Sequence, residues 1–500
     1  MVFPHLYRAE HSETNTTNGV YGDYYAKKQS KKIGIQKDLL KILNYIDSHR
    51  NQFLDKLADI IQIKSVSGRL KYQRDVQKMV LYTETWLKRL RMKYECFDIG
   101  TYNLEGETVR VPSIILASLE QDSSYKTICA YLHMDVPDPD MEQWKTNPFE
   151  LTLVENGYYG NGVACGKGYA LMWFHVIEAF QKIQMPLPVN IKFIIEFMHH
   201  ENSIGLSELL QKRKQDFFCR IYCVIICESE WIGMKYPCLV YGCAGAINLE
   251  ISITKIEKSE TDIKEDMEKI ANTLVDADDN VLIKGFDDLV EDLTPDEENI
   301  YEELQEFDIE TRRKSLPESK QSWDQVRLLM DLWRHSSLYL HENLECICEK
   351  RDSSKIKKVI TAKVVPKQDM DKLIQAIENH IQNVVKDLKI QNEVRCEVMD
   401  VKRYWIENFR RPCFIAVKRA LTQIYKEVPN MIRRSTVTEA LTVMDRTLEK
   451  PIVMVPLSRS VSRPGKCNEN ITYRNYIEGT KVIAAILFQI SYTTDVNPKK

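Results

Sequence analysis

No apolar run in this chain of 500 residues approaches the roughly 20 that span a bilayer. The leading stretch MVFPHLYRAEHSETNTTNG also lacks the apolar centre of a signal peptide. Neither a membrane span nor a secretory leader is expected. Charge of one sign is missing too: 69 Lys and Arg stand against 72 Asp and Glu, a net −3. That balance calls for neither nucleic acid nor an anionic membrane surface. A disulfide framework is absent. The 13 cysteines are odd in number and scattered, and Cys129, Cys223 and Cys227 fall inside strand-like runs. Reduced, buried thiols in the cytosol fit that pattern. Cys223-x3-Cys227 and Cys238-x4-Cys243 miss zinc-ribbon spacing, and Val224-Ile225-Ile226 reads as buried strand. There is no internal repeat and no low-complexity segment.

What remains is a composition of the globular kind, 44% apolar and 28% charged, long enough for two or three domains. Residues 1–35 are polar, end in KKQSKK and are predicted to form a flexible extension. Helical periodicity begins near Lys37. The short continuous apolar runs IILASL, TICAYL, IKFIIEF and CVIICE then read as strands covered on both faces. Helical stretches such as YALMWFHVIEAFQKI separate them, which is the pattern of an α/β sheet. The character changes near residue 247. Residues 276–310 carry 15 Asp or Glu and a single Lys, Lys284, and read as a solvated helical face. Within them Thr294-Pro295-Asp296-Glu297 reads as a capping box. VITAKVV, DKLIQAIENHIQNVVKDL and EVRCEVM suggest a small α+β unit, and after about residue 400 the α/β pattern resumes. The expected architecture is an α/β domain over 36–246 and 401–500 with an α+β domain, 247–400, inserted into it.

Sites in open α/β sheets gather at the carboxyl ends of strands. TICAYL runs into His133 and Asp135, IKFIIEF into His199, His200 and Glu201, and CVIIC into Glu228. Three strand ends bearing metal-ligand residue types raise the odds of a site. His175, within an apolar helix, reads as a core residue. The glycine-rich stretch Gly160–Gly168 has Asn161 where a phosphate loop needs Gly and Gly168 where it needs Ser or Thr, which argues against a nucleotide. Lys167 within it is expected to bind an anion or to satisfy nearby carbonyls.

The stretches LHMDVPDPDMEQWKTNPFELTLVENGYYGNGVACGKG, PVNIKFIIEF, GLSELL, WIGMKYPCLVYGCAG and YRNYIEGTK resemble, in order, the carnosine dipeptidase and cytosolic non-specific dipeptidase branch of the aminoacylase-type zinc metallopeptidases. The resemblance spans about residues 37–490. It implies a metallopeptidase catalytic domain with an inserted lid that also dimerises, hence a homodimer taking a small peptide. Such enzymes use two metal ions roughly 3.5–4 Å apart, a bridging carboxylate and a glutamate base. On this resemblance His133 is a metal ligand and Asp135 the carboxylate that orients it. Cys165 stands in the bridging aspartate's slot. His199 and His200 stand in those of the glutamate base and a following ligand, with Glu201 one position out of register. Glu228 takes a ligand aspartate's place, and Gly465 that of the last ligand histidine. The lid's histidine motif is missing, since no histidine occurs between His200 and His335. Lys363 and Arg433 take substrate-binding slots, Arg433 opening the run Arg433-Arg434-Ser435-Thr436-Val437 in place of a glycine-rich segment.

Three readings follow. The number of replaced groups favours a pseudoenzyme, a dipeptidase fold with a binding or scaffold role. A second is one zinc ion on His133, Cys165, His200 and Glu228, four acceptable ligands for a tetrahedral site. The third, a full two-metal centre, requires a bridging thiolate and a histidine base together.

Overall fold

The computed structural model describes residues 37–288, 290–349 and 353–494; the extension predicted for 1–35 lies outside them. Among the described residues the larger sheet has nine strands. Its order is Lys93–Phe97, Ile114–Leu119, Asn190–Glu196, Thr127–His133, Ile221–Ile226, Ile452–Met454, Cys238–Cys243 and Trp405–Ile406, with Asn430–Arg434 also on Cys238–Cys243. Asn190–Glu196, Thr127–His133, Ile221–Ile226 and Ile452–Met454 run parallel. Their carboxyl ends therefore share one edge, and that edge carries the candidate residues.

The central strands are largely apolar because both faces are covered. Thr127–His133 and Asn190–Glu196 are buried throughout. Helix Gly166–Lys182 packs against Thr127–His133 and against helices Arg50–Ile61 and Tyr473–Ser491. It is buried from Gly166 to Phe180, so it needs no polar face. His175 sits in this helix. It stacks on Phe53 with ring centroids 3.9 Å apart, and its Nε2 lies 3.2 Å from the Tyr476 hydroxyl.

A second, four-stranded antiparallel sheet orders Ser337–Glu349, Ser353–Val364, Gly245–Thr254 and Glu393–Lys402. Helices Ile263–Ala271 and Met370–Asp387 supply Ile263, Met267, Leu373 and Ile377 to a separate core. Not all of the stretch between 247 and 400 belongs to that core. Tyr301, Leu304, Leu329 and Trp333 pack into the larger one.

Most of the acidic run lies on the expected solvated face, and Glu297 is the exception. Thr294 does cap helix Pro295–Glu302, accepting from the Glu297 N–H. The Glu297 side chain does not reach back to complete the box. It turns inward, 6% exposed, to meet Arg334, Arg433 and the Tyr241 hydroxyl at 2.8 Å. A buried carboxylate between two guanidiniums is satisfied more fully there than by a single backbone N–H.

Candidate functional site

The carboxyl edge of the larger sheet opens into a cavity of about 140 Å³. His133, Cys165, His199, His200, Glu228, Arg434 and Gly465 are among its lining. His133 is the last residue of its strand and 3% exposed. Its ring is pressed against Gly166, where an added Cβ would lie 2.7 Å from both the His133 ring and its carbonyl oxygen. Only glycine lets the start of the buried helix come this close. Asp135, fully buried, faces His133 Nδ1 at 3.6 Å and accepts from Ser67 Oγ at 2.8 Å and from the His200 N–H at 3.0 Å. Burial works against its charged form, but His133, His200 and His199 outweigh it and hold the carboxyl below its usual range.

His199 and His200 lie on the turn His199–Glu201 that follows strand Asn190–Glu196. The His199 ring stacks on His133, with centroids 4.1 Å apart and planes 16° apart. Burial alone would lower its pKa, yet Glu228, Glu196 and Asp135 raise it to about 9. His200 stands edge-on to both rings. Burial takes its pKa down to about 3, and its Nε2 is buried without a partner. Glu201 turns away, its carboxylate against Gly68.

Donor atoms of His133, His199 and Glu228 all lie within 4.8 Å of one another. This is the one such group among the described residues. Cys165 and His200 line the same cavity but stand outside the group. The Glu228 Oε1 atom is buried without a hydrogen-bond partner, as befits a group that awaits a cation. Zinc bonds of about 2.1 Å hold two donors at most about 4 Å apart, so the group must draw in around an ion. The donor types fit one ion with an open position. Cys165, the residue that the resemblance puts in the bridging slot, has its thiol beside Glu469. Burial first, and then Glu469, push that thiol well above its ordinary range.

Glu469, which spacing did not single out, lies just before the matching YRNYIEGTK and reaches under the cavity. It is fully buried, and its carboxylate accepts from the N–H groups of Gly162 at 3.0 Å, Ala164 at 2.6 Å and Gly465 at 3.2 Å. The glycine-rich loop thus cradles an anion of its own chain in place of a phosphate. Lys167 points elsewhere, donating to the Ile63 carbonyl at 2.6 Å. Gly465, at φ +67°, leaves open space beside His200; an added Cβ would sit 3.7 Å from His200 Cε1.

The two substrate-binding slots fall away from this cluster. Lys363 lies on the second sheet, where its ammonium donates to the Asp331 carbonyl at 2.9 Å. Arg433 is buried against Tyr241 and Glu297. Its neighbour Arg434, on the opposite face of the strand, is the one that lines the cavity, held by Ser229 and by Glu230 at 3.4 Å. Ser229 adopts φ +80° at the turn beyond Glu228.

Residues 129–489 match the model of peptidase family M20/M25/M40. The human Beta-Ala-His dipeptidase is 29% identical over 471 residues, which cover 91% of this chain and 93% of the relative. A Cys-Gly metallodipeptidase of Schizosaccharomyces pombe is 26% identical over 91% of this chain and 99% of its own. The crystal structure of human carnosine dipeptidase 1 superposes with a TM-score of 0.80 at 28% identity, covering 91% of this chain and 99% of that one.

Proposed function

The chain belongs to peptidase family M20/M25/M40, and from that premise we propose a member that has lost peptide hydrolysis and keeps its pocket for binding. One observation carries the reading: a two-ion centre needs two donor groups, and a single three-donor group is present among the described residues. The replaced positions support it. Cys165 is a buried thiol beside Glu469, and a histidine, His199, stands where the resemblance puts the glutamate base. The cavity of about 140 Å³ is small against the several hundred Å³ of common ligand pockets. It suits the end of a small peptide, with Arg434 at its wall. The same reading includes a homodimer through the second sheet, supported by exposed Tyr339, Val398, Met399 and Val401 on its strands. It also includes a cytosolic location, supported by eleven cysteines that are free thiols.

A second reading rests on that three-donor group: one zinc ion on His133, His199 and Glu228. When bound, zinc supplies polarisation of a carbonyl and acidification of a water. The chain's own part is to aim the two imidazoles and the carboxylate, to keep Asp135 behind His133, and to exclude bulk water by burying the ring cluster.

Metal content per chain, measured by mass spectrometry on untagged protein dialysed against trace zinc, tests both. It is paired with assays on Cys-Gly and β-Ala-His. None or one ion without turnover is the expected outcome. Two ions with turnover of either dipeptide would overturn the proposal.

A further inference from the structure

Behind the donor group lies a chain of hydrogen bonds that no hydrolytic role accounts for. Glu196 ends its strand fully buried. Its Oε1 accepts from the Ser203 hydroxyl at 2.8 Å and from the Tyr131 hydroxyl. Tyr131 Oη in turn lies 2.7 Å from His199 Nδ1. The proton order follows from the ends of the chain. A carboxylate can only accept, so Tyr131 spends its single proton on Glu196. The phenol oxygen then has only lone pairs left for His199, so His199 Nδ1 must be the donor. The ring's other nitrogen, Nε2, is left to carry the lone pair.

We propose that Tyr131, anchored by Glu196 and Ser203, is a positioning residue that fixes His199 with Nδ1 protonated and presents Nε2 as a ligand atom. The proposal rests on the one-ion reading above. A hydrogen bond of this kind sets the tautomer and the ring orientation of a ligand histidine together. Both stacked rings are then backed, one by a carboxylate and one by a phenol.

The full-length chain and Tyr131→Phe are titrated with Zn²⁺ by calorimetry and with Co²⁺ by visible absorption. Thermal melting of the metal-free proteins monitors folding. Zinc affinity is expected to fall roughly 10- to 100-fold in Tyr131→Phe, with the Co²⁺ ligand-field bands shifted. Glu196→Gln is expected to weaken affinity in the same direction. Equal zinc affinity and equal Co²⁺ spectra in wild type and Tyr131→Phe would overturn the inference while leaving the one-ion reading intact. If the wild type binds neither metal, the one-ion reading falls. The tautomer is then read from ¹⁵N shifts of selectively ¹⁵N-histidine-labelled protein, at a pH high enough to leave His199 neutral. Protonated Nδ1 with bare Nε2 supports the orientation, and protonated Nε2 overturns it.

Discussion

Glu196 is the one acidic residue in the largely apolar run IKFIIEF, and such a residue has to be matched or it destabilises the core. Here it is matched by Tyr131 and Ser203. Its oddity was visible in the sequence; its partners were not, because they come from 65 positions upstream and 7 downstream. His175 shows the opposite case. Its place in an apolar helix was enough to read it as core, and the structure seats it against Phe53 and Tyr476. Burial, with Arg89 and Lys56 adding repulsion, takes its pKa from 6.5 to about 3. Between those two values the unfolded chain binds a proton that the folded chain refuses. Stability therefore falls as pH drops through that window and is restored as pH rises. His175→Phe is expected to reduce the loss of unfolding free energy between pH 7 and pH 4.5 by roughly 2–3 kcal/mol, measured by urea denaturation at each pH. The same pH dependence in both proteins would refute the assignment.

At the scale of elements, apolar patterning identified the buried strands and the long helices, since continuous burial favours one residue class. Helix Pro295–Glu302 is instructive because its cap was legible and its orientation was not. Thr294 and Pro295 mark its start by local chemistry, whereas Glu297 is pulled inward by Arg334 and Arg433, which arrive from distant segments. Truncating Glu297 to Ala leaves two buried guanidiniums facing one another. The expected cost is about 3–5 kcal/mol of unfolding free energy, whereas Glu297→Ala combined with Arg433→Met should cost less than the single change. Chemical denaturation of the two variants checks this; an additive loss would mean that the pair is not coupled.

At the scale of the whole molecule, the smaller sheet leaves Val398, Met399 and Val401 exposed on strand Glu393–Lys402, which forms one edge of that sheet. Apolar residues along an uncovered edge invite pairing with a second chain. Met399→Lys with Val401→Lys is expected to convert a dimer into a monomer of 58.5 kDa, read by light scattering coupled to size exclusion, with the melting temperature of the larger core little changed. A wild type that already runs as a monomer would remove the homodimer from the proposed function.

The sequence by itself determined the α/β class, the strand ends that carry the candidate residues, and the family. All three are written in local patterning and in the order of motifs along the chain. Only the tertiary structure decided which donors meet. Parallel strands brought His133, His199 and Glu228 to one edge, while the loop before strand Asn470–Thr472 swung Glu469 under Cys165 and took its thiol out of the donor group. It likewise put Arg434 rather than Arg433 at the cavity. Neighbouring side chains on a strand face opposite ways, and which of the two faces inward depends on what packs behind the strand. Here that is Glu297, more than a hundred residues away along the chain.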